Sequence, residues 1–146
     1  MPPEPIRVLH IAPCIYPATK WGGPAFSTFE MLNALARIDD LDVSLVTTDT
    51  AGPQLSDRLF PGPELMSNYV GYQPLFTRRI WGDDFAPGLI FAAVREAGRA
   101  DVVHVSGTYN YTSMIGFLAA WLRRKPLVWT PRGALQAPSM YGAATI

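Results

Sequence analysis

The chain has 146 residues, and its 12 Lys and Arg balance 12 Asp and Glu, so the net charge of zero gives no general attraction to nucleic acid or acidic lipid. A hydrophobic content of 49% fills the core of one domain and leaves no length for a second. The lone Cys14 excludes an internal disulfide and a cysteine-built metal site; the opening MPPEPIRVLHIAP has no signal-peptide pattern, no apolar run approaches the roughly 20 residues of a spanning helix, and a soluble, cytoplasmic chain is expected.

Residues 6–12 (IRVLHIA) form a short β-branched run stopped by Pro13, the pattern of a strand covered on both faces. A long loop is expected over 14–23. Residues 24–38 follow as an amphipathic helix with Phe29, Leu32, Leu35 and Ala36 on one face. Residues 42–48 (DVSLVTT) read as the next strand and close a strand, helix, strand unit of the length a parallel crossover requires. The segment 51–84 is rich in Pro, Gly and aromatics, with 70–76 as its candidate strand. Residues 87–98 predict a helix, 101–106 (DVVHVS) a buried strand, 112–124 a helix with Ile115, Leu118, Ala119 and Leu122 on one face, and 126–130 (PLVWT) a further strand. Arg123, Arg124 and Lys125 complement the dipole at the carboxyl end of that last helix. The tail from 132 to 146 shows no periodicity, and there is no internal repeat. Strands alternating with helices predict an α/β fold, a Rossmann-like parallel sheet flanked by helices.

In open parallel sheets ligands sit beyond the carboxyl ends of the strands, so the segments that follow strands carry the chemistry. Three stand out. After the first strand, Trp21, Gly22, Gly23 and Pro24 enter a helix, where glycines allow close backbone approach and free N–H groups suit a diphosphate. The alternative is a simple turn into the helix, which Ser27 and Glu30, at capping-box spacing, would initiate. After the 101–106 strand, Ser106, Gly107, Thr108, Tyr109, Asn110, Tyr111 and Thr112 offer hydroxyls, an amide and aromatic faces, the mixture that binds sugars; the alternative is a helix cap at Asn110 or Thr112. After the last strand, Arg132 is a permanently charged fork for phosphate or carboxylate, or one half of a surface ion pair. His104 reads as a core histidine. Arg78 with Arg79 reads as the solvated end of an element. Other chemistries lack their patterns. A dinucleotide site needs three glycines directly after the first strand, although Asp49 would suit a ribose. There is no Walker loop and no GxSxG elbow, and His10 and His104 lie on separate strands without ligand spacing.

Four ordered segments resemble the retaining, nucleotide-sugar-dependent glycosyltransferases of the GT-B architecture, family 4, in their amino-terminal domain. They are HIAPCIYPATKWGGPAFSTFEMLNALA, VSLVTTD, DVVHVSGTYNYTS and PLVWTPRGAL, with FAPGL as a weaker fifth. The resemblance implies two nucleotide-fold domains facing a cleft. The acceptor lies mainly on the amino-terminal domain, taken here as residues 1–146, and the donor lies on a carboxy-terminal domain that this chain lacks. It places Gly22 and Gly23 as catalytic residues near the donor phosphates and the reacting sugar. It places Ser106, Gly107, Thr108, Tyr109, Asn110 and Arg132 on the substrate side. No cofactor is expected; a nucleotide-diphosphate sugar is the donor substrate. The expected partners are a carboxy-terminal GT-B domain in the same or a separate chain and a glycan or lipid-linked acceptor, with peripheral association with the inner membrane face also admitted and nucleic acid excluded.

Two departures matter. Relatives place a second histidine two residues after the first in the DVVH strand, where this chain has Ser106. The family's pair of donor-site glutamates cannot be formed by Glu4, Glu30, Glu64 and Glu96. The reading is therefore a sugar transferase of polysaccharide biosynthesis that acts with retention and is inactive without its carboxy-terminal domain. The alternative is a stand-alone module that binds an acceptor glycan or assembles with another subunit.

Overall fold

The β-branched run at the start forms strand β1, Ile6–Ile11, and a 3-10 turn at Thr19–Trp21 interrupts the loop that follows it. Helix α1 spans Gly23–Leu35, strand β2 Leu41–Thr48, the short helix α2 Pro63–Met66 and strand β3 Pro74–Thr77. Helix α3 is Gly88–Arg99, strand β4 Val102–Ser106, helix α4 Tyr111–Leu122 and strand β5 Leu127–Thr130. These elements come from a computed structural model, which describes residues 3–132. The expectations for the tail beyond Arg132, including the GAL of the fourth matching segment, lie outside the described residues.

The five strands make one parallel sheet in the order β3-β2-β1-β4-β5. This is the Rossmann-like α/β architecture that the alternation predicts. Side chains alternate across a strand, so Leu9 and Ile11 enter one face and His10 the other. On the first face Leu9, Ile11, Val46, Val103 and Val105 pack against α3 and α4. On the second, Ala12, Val43 and Leu45 pack beneath Leu32 of α1, joined by Tyr69 and Tyr72.

Several expectations need correction. The face of α4 is rotated from the one its apolar periodicity suggests. Leu118 and Leu122 are exposed, while Ile115, Gly116, Ala119 and Ala120 are buried. Small residues let the helix approach the sheet closely: a Cβ at Gly116 would lie 2.6 Å from Val105 Cγ2. Ser27 and Glu30 do not begin α1. Gly22 is its cap residue, and Ser27 sits inside the helix with its Oγ donating to the Pro24 carbonyl at 3.2 Å. Helix initiation falls to the backbone instead, because the 3-10 turn leads straight into Gly22, whose φ of 65° is one that favours glycine.

The strand expected at 70–76 is instead Pro74–Thr77, because residues 70–73 turn and send Tyr72 inward. Tyr69 and Tyr72 are buried, and the Tyr69 hydroxyl donates to the Tyr16 carbonyl at 2.8 Å. Arg79 is not solvated but 2% exposed. Its guanidinium donates to the carbonyls of Gly52 (2.8 Å), Asp57 (3.1 Å), Gly82 and Asp83 (3.3 Å each) and Gln54. Arg78 is exposed as expected. One buried arginine thus gathers the loop after β2 and the loop before α3, and so fixes the wall beside the sheet's carboxyl edge.

Candidate functional site

The strand order sends the chain from β1 to one edge of the sheet and brings it back at β4 to build the other. The loops after these two adjacent strands diverge and open a crevice beyond their carboxyl ends. A cavity of about 290 Å³ lies there, between Pro13, Cys14 and Pro24 on the β1 side and Gly107, Asn110 and Arg132 on the β4 side. A second cavity, of about 190 Å³, shares Pro13, Cys14, Pro24 and Asn110 with the first and extends to Trp21, Thr50 and Asp84. All six residues assigned to substrate from the sequence, Ser106 to Asn110 and Arg132, line the first cavity. Gly22 and Gly23 lie outside its wall, between Trp21 and Pro24, which line the two cavities.

The glycine pair is held from outside. Trp21 Nε1 donates to Thr50 Oγ1 at 3.0 Å, which ties the turn to the loop after β2. A Cβ at either glycine would meet nothing within 4 Å, although the φ of 65° at Gly22 still favours glycine. The N–H groups behind the pair are not the free set the sequence suggests. Pro24 has none, Ala25 and Phe26 donate to the Gly22 carbonyl, and the Gly23 N–H has no partner among the described residues.

The 106–110 loop is set by capping. Asn110 is the cap of α4, its Oδ1 accepting from Ser113 N at 2.7 Å, and Asp84 reaches the same helix end to accept from Thr112 N at 2.7 Å and Tyr111 N at 3.3 Å. A carboxylate therefore already satisfies the positive end of α4. Gly107 has φ 98°, and a Cβ there would stand 2.5 Å from Asn110 Nδ2, so both backbone and space demand glycine. Its carbonyl accepts from Trp129 Nε1 at 2.8 Å, and Thr108 Oγ1 donates to the Pro131 carbonyl at 3.3 Å. Tyr109 packs on nothing comparable and is 83% exposed at the rim.

Arg132 is half-buried in the cavity wall. Its Nε donates to Ser106 Oγ at 3.1 Å, one terminal nitrogen donates to Ser27 Oγ, and the other lies 3.9 Å from Met31 Sδ. Ser106 thus seats the arginine. Below it, β1 and β4 bring His10 opposite His104, with ring centroids 4.5 Å apart and edge-on. His10 is fully buried, with neither ring nitrogen partnered among the described residues, while His104 Nε2 lies 2.7 Å from Thr130 Oγ1. Burial, the His104 charge and the Arg132 charge all hold His10 well below the usual imidazole range, and burial and then Arg132 lower His104. Burial pushes the Cys14 thiol up to about 12, so it is a neutral wall rather than a nucleophile.

The family model described as Glycosyltransferase Family 4 matches residues 21–144, most of the chain. The chain belongs to that family. No curated protein and no solved structure matches it. Membership gives this domain a glycosyltransferase-type function, on the fold that the resemblance predicted, and the match covers both the glycine pair and the 106–110 loop. Among the described residues of this family 4 domain, no cluster of three or more His, Cys, Asp or Glu is placed to hold a metal ion. No described helix is long and apolar enough to cross a membrane.

Sequence reasoning missed Cys14, Thr28 and Asp84 as walls of the two cavities. Cys14 was open to discovery, since it follows β1 at the switch point. Thr28 and Asp84 were not, because one projects from a helix face and the other reaches in from a loop distant in sequence.

Proposed function

We propose that this domain takes part in transferring a sugar, with retention, from a nucleotide diphosphate to a glycan or lipid-linked acceptor, and that a carboxy-terminal donor-binding domain completes the site. The observation that carries the reading is the cavity at the β1/β4 switch point, whose wall combines Ser106, Gly107, Thr108, Tyr109 and Asn110 with Arg132. Hydroxyls, an amide and an exposed aromatic face are the groups that recognise a sugar in water. The acceptor lies against this wall, with Tyr109 as its apolar platform.

The donor diphosphate approaches from the open side of Gly22 and Gly23. The unspent Gly23 N–H and the amino end of α1 stabilise negative charge as the nucleotide departs. Catalysis is then mostly positioning and electrostatics. This chain alone binds acceptor fragments and little nucleotide sugar; tight nucleotide-sugar binding by it would contradict the placement of the donor.

The test is Gly23→Val in the protein that carries both domains. A Cβ there meets nothing within 4 Å and the backbone does not require glycine, so the fold should survive while the bulk blocks the approach of the diphosphate. Turnover should fall by about 100-fold, the loss expected when a reacting group is displaced by about 1 Å. Unchanged turnover with an unchanged melting temperature would remove the loop from the mechanism.

A further inference from the structure

We propose that the acceptor is acidic, a sugar carrying one oxyanion, phosphate or carboxylate, that pairs with Arg132. The proposal rests on the acceptor reading above and narrows it.

A guanidinium carries five N–H donors. Arg132 spends three of them, all on neutral groups: two serine hydroxyls and a thioether. No described Asp or Glu is in ion-pair reach of it. The segment that follows, GALQAPSMYGAATI, contains no acidic residue either. Two acidic residues line the second cavity: Asp83 is exposed and outside ion-pair reach of Arg132, while Asp84 is already engaged, as is Asp49. Asp84 is held by two backbone amides of α4, and Asp49 by the Arg58 side chain and the Arg79 N–H.

Other arginines of the sheet show the usual arrangements. Arg7 forms a two-point pair with Asp101, and the buried Arg79 spends its donors on backbone carbonyls. Arg132 instead has a charge, half removed from water, with no counter-charge among the described residues, which is unfavourable until an anion arrives. Burial, the main influence, lowers its pKa from the ordinary value, as expected for a cation lacking such a partner. Both serines fix the guanidinium plane beforehand, and Ser27 Oγ itself donates to the Pro24 carbonyl, leaving its lone pairs for the arginine. One N–H on each terminal nitrogen remains available to a carboxylate or phosphate oxygen. At about 290 Å³ the cavity is at the small end of ligand sites, the scale of a single substituted sugar.

The amide shifts of Gly107 and Tyr109 would be followed by NMR while the protein is titrated with glucose, glucose 6-phosphate, glucuronate and UDP. Both acidic sugars should bind about tenfold or more tightly than glucose, the effect of one charge-assisted contact. Arg132→Gln should abolish the preference and Arg132→Lys should keep part of it; the lysine variant carries the test if the glutamine variant does not fold. If all three sugars shift both amides equally, the acceptor site stands and the acidic acceptor is overturned. A preference for acidic sugars that survives Arg132→Gln overturns it too, as does UDP binding that depends on Arg132 while sugar binding does not. Absence of any sugar response at Tyr109 overturns the acceptor reading itself.

Discussion

His10 shows how strongly a single position can depend on its neighbours. In the folded state its imidazole stays neutral well below the usual range, chiefly because burial disfavours the charged ring. In the unfolded chain the same ring takes up a proton as the pH falls through about 6.5. The unfolded state then binds more protons than the folded one, so stability is lost on acidification below that point, by about 1.4 kcal/mol per pH unit for a full proton. His104, also lowered, adds to the slope. His10→Leu should flatten the fall in melting temperature between pH 7 and pH 5; an unchanged pH dependence would mean that His10 is charged or solvated in the fold. From the sequence, the two histidines stand far apart on separate strands. Their contact is a consequence of strand register, His10 facing His104, which no local pattern encodes.

At the level of elements, the segment 51–84 was the least legible part of the chain, and Arg79 explains why. Its loops are tied by one guanidinium that reaches carbonyls on both sides of β3, and by the buried Tyr69 and Tyr72, not by periodicity. Arg79→Met should leave several buried carbonyls without a donor and cost about 3 kcal/mol. Urea unfolding would measure this, and a loss within a few tenths of a kcal/mol of wild type would show that the carbonyls find water instead. Helix α4 carries the complementary lesson. Its existence and its Asn110 cap were readable from the local sequence, but its buried face was not, because Gly116 and the two alanines let the backbone approach β4 in a way that apolar periodicity does not register.

For the molecule as a whole, β1 and β4 are paired on both edges and bury Leu9, Ile11, Val103 and Val105 completely, while β5 is the edge strand of the described sheet with Leu127, Val128 and Trp129 partly exposed. Amide exchange should therefore be slowest over Leu9–Ile11 and Val103–Val105 and clearly faster over Leu127–Thr130. Equal protection of all three strands would indicate that β5 is covered in solution. The same strand order places the candidate site. Residues 106–110 and Arg132 were each visible as polar or charged groups following a strand, and the switch-point rule gave their common edge. That Arg132 would bridge to Ser27 of α1, and would have no carboxylate partner among the described residues, was not visible.

The sequence by itself determined the alternation of strands and helices, the glycines that turn the chain, the Asn110 cap of α4, and the residues presented after each strand, since these depend on side-chain chemistry and short-range backbone preference. Only the tertiary structure decided which strands became neighbours, which helix faces were buried, and which polar groups met at the crevice. Those outcomes arise from packing and hydrogen bonding between segments remote along the chain, as the Arg132 to Ser27 contact and the facing histidines illustrate.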